Sequence, residues 1–217
     1  MSDLVNVSRR DFLCRSLLAG GGLVLGLHLP ALAKGQGPGQ KDGPFALNAF
    51  VRVGSDDSVC VVVNHSEMGQ GIYTSMPMVV AEELDAEWAK VRFEAAPVAA
   101  VYNHPVYGAQ LTGGSSSTWV EWERVRKAGA TARAMLILAA AQQWNVDANS
   151  CESRSGVVSH PPTGRSLSYG ELAAAAARLP VPSEVAFKDQ GRYSIIGKPT
   201  LQLDGARDRQ WGTAVRS

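Results

Sequence analysis

The chain is poor in cysteine: it has three, Cys14, Cys60 and Cys151, and none falls in a Cys-x-x-Cys pair. That excludes an iron–sulfur cluster or a zinc site of the usual spacing on this chain. Whether Cys60 and Cys151 pair or stay free thiols is left open by their positions. Charge of one sign is also missing, with 21 basic against 20 acidic residues. There is no basic stripe for nucleic acid and no basic amphipathic helix for a membrane surface. Three motifs are absent as well. Without Gly-Lys-Ser/Thr there is no P-loop, without Gly-x-Gly-x-x-Gly a nicotinamide cofactor is unsupported, and without Gly-x-Ser-x-Gly a serine hydrolase ranks low.

The N-terminus is informative. Ser8-Arg9-Arg10-Asp11-Phe12-Leu13 precedes a mildly apolar stretch, Leu17 to Leu32, ending in the small-x-small pattern Ala31-Leu32-Ala33. Gly20, Gly21, Gly22 and Gly26 dilute that stretch, and it is too short for a stable span of about 20 apolar residues. The pattern predicts a twin-arginine signal over residues 1–33, hence folded export to the periplasm. Folding before export commonly accompanies cofactor insertion, so a bound cofactor is expected. Residues 34–45, rich in Gly, Pro, Gln and Lys, read as a flexible linker.

Leu47 to Val53 alternates as a half-buried strand does, and Gly54-Ser55-Asp56-Asp57 is a turn. Val59 to Val63 is a β-branched run expected to be covered on both faces. A helix is predicted from Thr74 or Ser75, with Pro77 in its first turn and Met76, Val79, Val80, Leu84 and Trp88 apolar. Val91 to Ala96 returns as a strand. A long helix then follows Ser117–Thr118 to Trp144, buried over Ala134 to Ala141. Residues 46–148 form the main unit and 149–204 a satellite unit. In the satellite, Val157-Val158 is a strand and Ser168 with Glu171 a capping box opening a helix to Leu179. Residues 205–217 are a patternless, Arg-rich tail. The element order predicts an α+β fold, a mixed sheet with packed helices.

Two Gly-rich loops each lead into a helix. Gly69-Gln70-Gly71 suits close approach of backbone to a flat ring, with Gln70 offering donor and acceptor. Gly113-Gly114-Ser115-Ser116-Ser117 suits phosphate, because hydroxyls join the free N–H groups of a helix start. Glu67 is read as a brace for its loop. His65, His104 and His160 lack metal-ligand spacing and are read as structural, and Trp119, Trp122 and Trp144 as helix packing.

Glu67-Met68-Gly69-Gln70-Gly71 with Thr74, followed by Gly113 to Ser117 before a long helix, resembles the large subunit of molybdenum-pterin hydroxylases. This is the xanthine dehydrogenase and aldehyde oxidase family, and the likeness is best to its isoquinoline 1-oxidoreductase beta-subunit type. Thr163-Gly164-Arg165, Tyr169-Gly170-Glu171-Leu172 and Ile196-Gly197-Lys198-Pro199 extend the resemblance over residues 50–204.

The resemblance implies a part of a molybdopterin-binding domain, the cofactor being a dinucleotide form. Gly69, Gln70, Gly71 and Thr74 would approach the metal and pterin, and Gly113, Gly114, Ser115, Ser116 and Ser117 the pterin or its phosphates. The implied reaction oxidises an N-heteroaromatic or aldehyde carbon with water as oxygen source. Electrons would leave through iron–sulfur clusters on a small [2Fe–2S] partner subunit. Such subunits are roughly three or more times this length, beyond one domain. The catalytic Glu lies near their far end, so no catalytic residue is assigned here. The chain is expected to be an N-terminal fragment, inactive alone, with its tail the product of a frameshift or broken gene. The competing expectation is a periplasmic binding or assembly module.

Overall fold

The computed structural model describes the backbone of residues 23–26 and residues 49–203. The expected linker, the tail and most of the expected export signal lie outside the described residues. Among the described residues, two sheets and three helices make an α+β fold. The larger sheet runs in the order β1 (Leu23–Gly26), β2 (Ala49–Val53), β3 (Val59–Val63) and β4 (Val91–Ala95). The pairs β1/β2 and β2/β3 are antiparallel and β3/β4 is parallel, so the sheet is mixed. β1 falls inside the apolar stretch of the expected signal. Its backbone lies along the edge of β2, Leu23 opposite Val53.

The parallel β3/β4 pair needs a crossover, and α1 (Ile72–Leu84) supplies it. α1 starts two residues earlier than the sequence suggests and stops at Leu84, leaving Trp88 in a separate 3-10 turn, Trp88–Lys90. Asp85 causes the stop. It adopts the left-handed conformation, and its N–H closes the last turn on Ala81 and Glu82. α2 (Ser117–Trp144) packs lengthwise on α1. The core between helices and sheet holds Val61, Val63, Val80, Leu84, Ala132 and Leu136, all essentially inaccessible.

The satellite is an antiparallel sheet of β5 (Glu152–Arg154), β6 (Val157–His160) and β7 (Arg165–Ser168), then α3 (Tyr169–Ala176). The capping box at Ser168 and Glu171 is formed in both directions. Tyr169 donates its hydroxyl to Leu84 O at 2.6 Å, and the Gly170 N–H donates to Asp57 Oδ1 at 2.6 Å. Those bonds seat the satellite on the end of α1 and on the β2–β3 turn.

Beyond Pro180 the chain leaves the satellite and returns along α1. The Lys188 N–H meets Glu83, the Trp88 ring N–H donates to Leu201 O, and the Leu203 N–H reaches Thr74 Oγ1 at 3.0 Å. Cys60 and Cys151 are both free thiols. Among the described residues, no helix is long and apolar enough to cross a membrane.

Candidate functional site

β3 ends by delivering Asn64, His65 and the loop Ser66–Gly71 to the N-terminal end of α1. Glu67 organises that loop. Its Oε1 accepts the N–H groups of Gly69 and Gly71 at 2.8 and 2.9 Å, and its Oε2 accepts that of Tyr73 at 3.1 Å. Gly71 is the N-cap at φ +81 and has no side chain to cap with, so Glu67 supplies the missing acceptor. Partial burial pushes the Glu67 carboxyl up. The amides of Gly71, Tyr73 and Gly69 outweigh that and hold it below the ordinary glutamate value. With both oxygens committed to amides, Glu67 is a brace.

Replacing Glu67 with alanine should loosen this loop. A lost helix cap of about 1 kcal/mol corresponds to roughly fivefold faster amide exchange at Gly69, Gly71 and Tyr73. Hydrogen exchange read on residues 66–76 checks it, and unchanged rates would remove the bracing role.

The loop's other polar groups are also spent internally. Gln70 Oε1 accepts the Met68 N–H at 2.6 Å, and Gln70 Nε2 donates to Ser66 O at 2.8 Å. The expected outward amide of Gln70 is therefore folded back on its own loop. What Gly69 and Gly71 offer is bare backbone surface. A Cβ at either would meet nothing within 4 Å among the described residues. Thr74 is buried, and its Oγ1 accepts from Leu203, so it faces the returning segment rather than the open loop.

The second loop lies beside the first. The Ser66 N–H donates to Thr112 Oγ1 at 2.7 Å, tying the two together. Gly114 and Ser115 are successive left-handed residues, φ +62 and +52, and Gly113 is open on its Cα side. Ser116 is buried, and its hydroxyl donates to Gly113 O at 2.8 Å, so it shapes the loop instead of facing a ligand. Ser115 and Thr118 are exposed and Ser117 is half-buried. Ser116, the N-cap of α2, makes no side-chain cap bond, so the first-turn amides keep their donor capacity.

Beneath both loops lies a polar cluster that sequence reasoning did not assemble. Glu121 is fully buried in α2 and accepts from Asn64 Nδ2 at 2.9 Å and Arg124 Nη1 at 3.2 Å. His65 Nε2 comes within 3.6 Å of Glu121. That distance is beyond a hydrogen bond, and among the described residues neither His65 ring nitrogen has a hydrogen-bond partner. Burial pushes Glu121 up, but His65, Arg124 and Asn64 outweigh it and hold the carboxyl below its ordinary value. Arg124 also donates to Val101 O and lies over the Phe50 ring at 4.4 Å. The signal in the sequence was a Glu on the helix stripe that includes Val125.

Residues 15–213 match a family model described as a molybdopterin cofactor-binding domain. The chain belongs to this family. It is 36% identical over 178 residues to isoquinoline 1-oxidoreductase subunit beta of Brevundimonas diminuta, covering 79% of this chain and 22% of that protein. A membrane-bound aldehyde dehydrogenase (pyrroloquinoline-quinone) of Gluconacetobacter polyoxogenes is 30% identical over 219 residues, 97% of this chain and 27% of that protein. The chain thus spans about a quarter or less of these relatives. Among solved structures, quinoline 2-oxidoreductase from Pseudomonas putida aligns with TM-score 0.44 and 16% identity over 58% of this chain and 15% of that one. CO dehydrogenase from Oligotropha carboxidovorans aligns with TM-score 0.46 and 22% identity over the same shares.

The residues present fit molybdopterin, a flat pterin with a phosphate tail. Open glycine faces at Gly69, Gly71 and Gly113 admit a ring against backbone. Exposed hydroxyls and an uncapped helix start suit phosphate oxygens. Between the helices, a groove lined by Ile72, Ser75, Ser117 and Trp122 has a cavity volume of about 10 Å³, room for roughly one water. The groove between the helices is therefore too small for a cofactor of this size.

Proposed function

We propose that this chain is the cofactor-holding part of a molybdenum hydroxylase large subunit, with molybdopterin lying between the loops Gly69–Gly71 and Gly113–Ser117. The observation that carries this reading is the Ser66–Thr112 bond, which sets two open, glycine-bearing loops side by side at adjacent helix starts. Ser115, Ser117 and the first-turn amides of α2 would hold phosphate, in keeping with a dinucleotide form of the cofactor. Gly69 and Gly71 would lie against the ring. When bound, the cofactor supplies the molybdenum chemistry that oxidises an N-heteroaromatic or aldehyde carbon with oxygen from water.

Electrons would pass to iron–sulfur clusters on a small [2Fe–2S] partner subunit, because this chain carries no cysteine pair of the required spacing. Exposed Met68, Tyr107 and Trp119 sit on the loops and on the first turn of α2, where an enlarged assembly would cover them. Arg9-Arg10, the dilute apolar stretch and Ala31-Leu32-Ala33 support twin-arginine export to the periplasm. Cleavage after Ala33 would remove β1 and leave β2 as the sheet edge.

The test is to purify the chain from a molybdopterin-producing host and measure molybdenum and oxidised-pterin fluorescence. About one of each per chain is expected. Ser115→Asp keeps a residue type that tolerates left-handed backbone but sets a negative charge where phosphate would lie. It should reduce pterin retention about fivefold or more, since like charges about 4 Å apart cost about 1–4 kcal/mol. A folded wild-type chain holding neither metal nor pterin would overturn this reading in favour of a binding or assembly module.

A further inference from the structure

His104 is essentially buried, in a short loop closed by its own backbone: its N–H donates to Ala109 O at 3.0 Å and its carbonyl accepts from Gly108 at 2.9 Å. Its ring is committed on both sides. The Val106 N–H lies 3.2 Å from Nδ1, and an amide N–H can only donate, so Nδ1 accepts. The ring proton is therefore on Nε2, which lies 2.8 Å from Ser116 Oγ. That hydroxyl, accepting from the ring, turns its own hydrogen to Gly113 O at 2.8 Å. Val106, His104, Ser116 and Gly113 thus form one directional chain of hydrogen bonds. Tyr107 packs on the His104 ring at 4.5 Å and the His65 ring meets it edge-on at 5.9 Å, fixing its orientation.

The end of that chain is the loop that needs holding. Gly114 and Ser115 are consecutive left-handed residues, and for a serine that conformation costs about 1–2 kcal/mol. Ser116 directly follows them and is the N-cap of α2. Without the hydroxyl bond from Ser116, Gly113 O keeps only the longer bond from the Ser116 N–H, at 3.3 Å, so the turn loosens and the first amides of α2 lose their aim.

We propose that His104 is a positioning residue: acting through Ser116, it locks the Gly113–Ser117 turn and so pre-forms the phosphate-facing end of α2. The consequence for cofactor rests on the function proposed above, while the geometry does not. The experiment therefore reads the loop directly, in the cofactor-free full chain. Long-range proton–nitrogen NMR of the histidine rings should show His104 protonated at Nε2. Hydrogen exchange at residues 115–120 should rise about tenfold in His104→Ala and in Ser116→Ala, as expected for loss of a buried hydrogen bond of about 1.4 kcal/mol. Exchange over residues 128–141 should stay unchanged.

His104→Gln, whose amide N–H can donate to Ser116, should stay within about twofold of wild type. An Nδ1-protonated ring, unchanged exchange at 115–120, or a rise spread equally over 128–141 would each overturn the proposal. Pterin content then separates the two readings. If wild type binds no pterin yet the loop loosens as stated, the functional reading fails and the positioning role stands. If wild type binds pterin and His104→Ala loosens the loop without losing pterin, the proposed role toward the cofactor fails.

Discussion

Replacing Glu82 with alanine should remove about 3–5 kcal/mol of folding stability, the range for stripping one member from a buried ionic cluster. Glu82 is completely inaccessible near the C-terminal end of α1. Its oxygens accept the N–H groups of Ser194, Ile195 and Ile196 at 2.9, 2.6 and 2.8 Å, and Lys188 Nζ at 2.7 Å. Lys188 itself is buried and shared with Asp85 at 2.6 Å. Removing the carboxylate therefore orphans three amides and half-orphans an ammonium. Lys188→Met should cost less, because Glu82 keeps its three amide donors. Denaturant unfolding followed by tryptophan fluorescence measures both. A loss below about 1 kcal/mol for Glu82→Ala, or Lys188→Met matching it, would show that the amide nest is not what anchors the returning segment.

The same cluster sets a pH dependence. Burial pushes the Glu82 carboxyl up, but Lys188 and the amides of Ser194, Ile196 and Ile195 outweigh it and hold the group below its ordinary value. A depressed carboxyl contributes stability that is fully present above the unfolded value of about 4.3. That contribution is lost as pH falls through the lower folded value. Wild type should weaken on acidification through this window, and Glu82→Ala should show a shallower slope there.

The local features of this chain were legible and the long-range ones were not. Val59–Val63 is a strand as its β-branched run requires, and Ser168 with Glu171 caps α3 because a capping box needs only four consecutive residues. The end of α1 was misjudged by four residues. Apolar spacing continues to Trp88, whereas the left-handed Asp85 is held by partners far along the chain, Ser153 and Lys188. The three strands of the satellite showed only as Val157-Val158, because β5 and β7 are short and polar.

The two glycine loops could be found by composition, but their shared anchor, Ser66 to Thr112, joins residues 46 apart. Gln70 and Ser116 were expected to face a ligand, yet both are spent on their own loops, and Ser116 is held from below by His104. A buried histidine bonded across loops carries no spacing signature. Its role emerges only once the fold has brought the pieces together.

Gly129→Ala should destabilise the chain by about 2 kcal/mol, against the local preference, since alanine beats glycine by about 1 kcal/mol inside a helix. The sign is set by the neighbouring helix. A Cβ at Gly129 would lie 2.6 Å from Val80 O and 2.8 Å from Glu83 Cβ, both on α1. The first is backbone and cannot swing aside, so α1 and α2 must separate, and overpacking of this kind costs about 1–3 kcal/mol. Separation also pulls Glu83 from Arg126 Nε, at 2.7 Å, on α2. Leucine at this position should prevent folding. The effect should reach the loops, because each helix carries one of them at its start and the Ser66–Thr112 bond spans the gap. Gly129→Ala is therefore expected to lose both denaturant resistance and pterin retention. A variant as stable as wild type would mean that the helices are not in the contact Gly129 permits. A destabilised variant with full pterin retention would mean that the loops hold their relation without the helices beneath them.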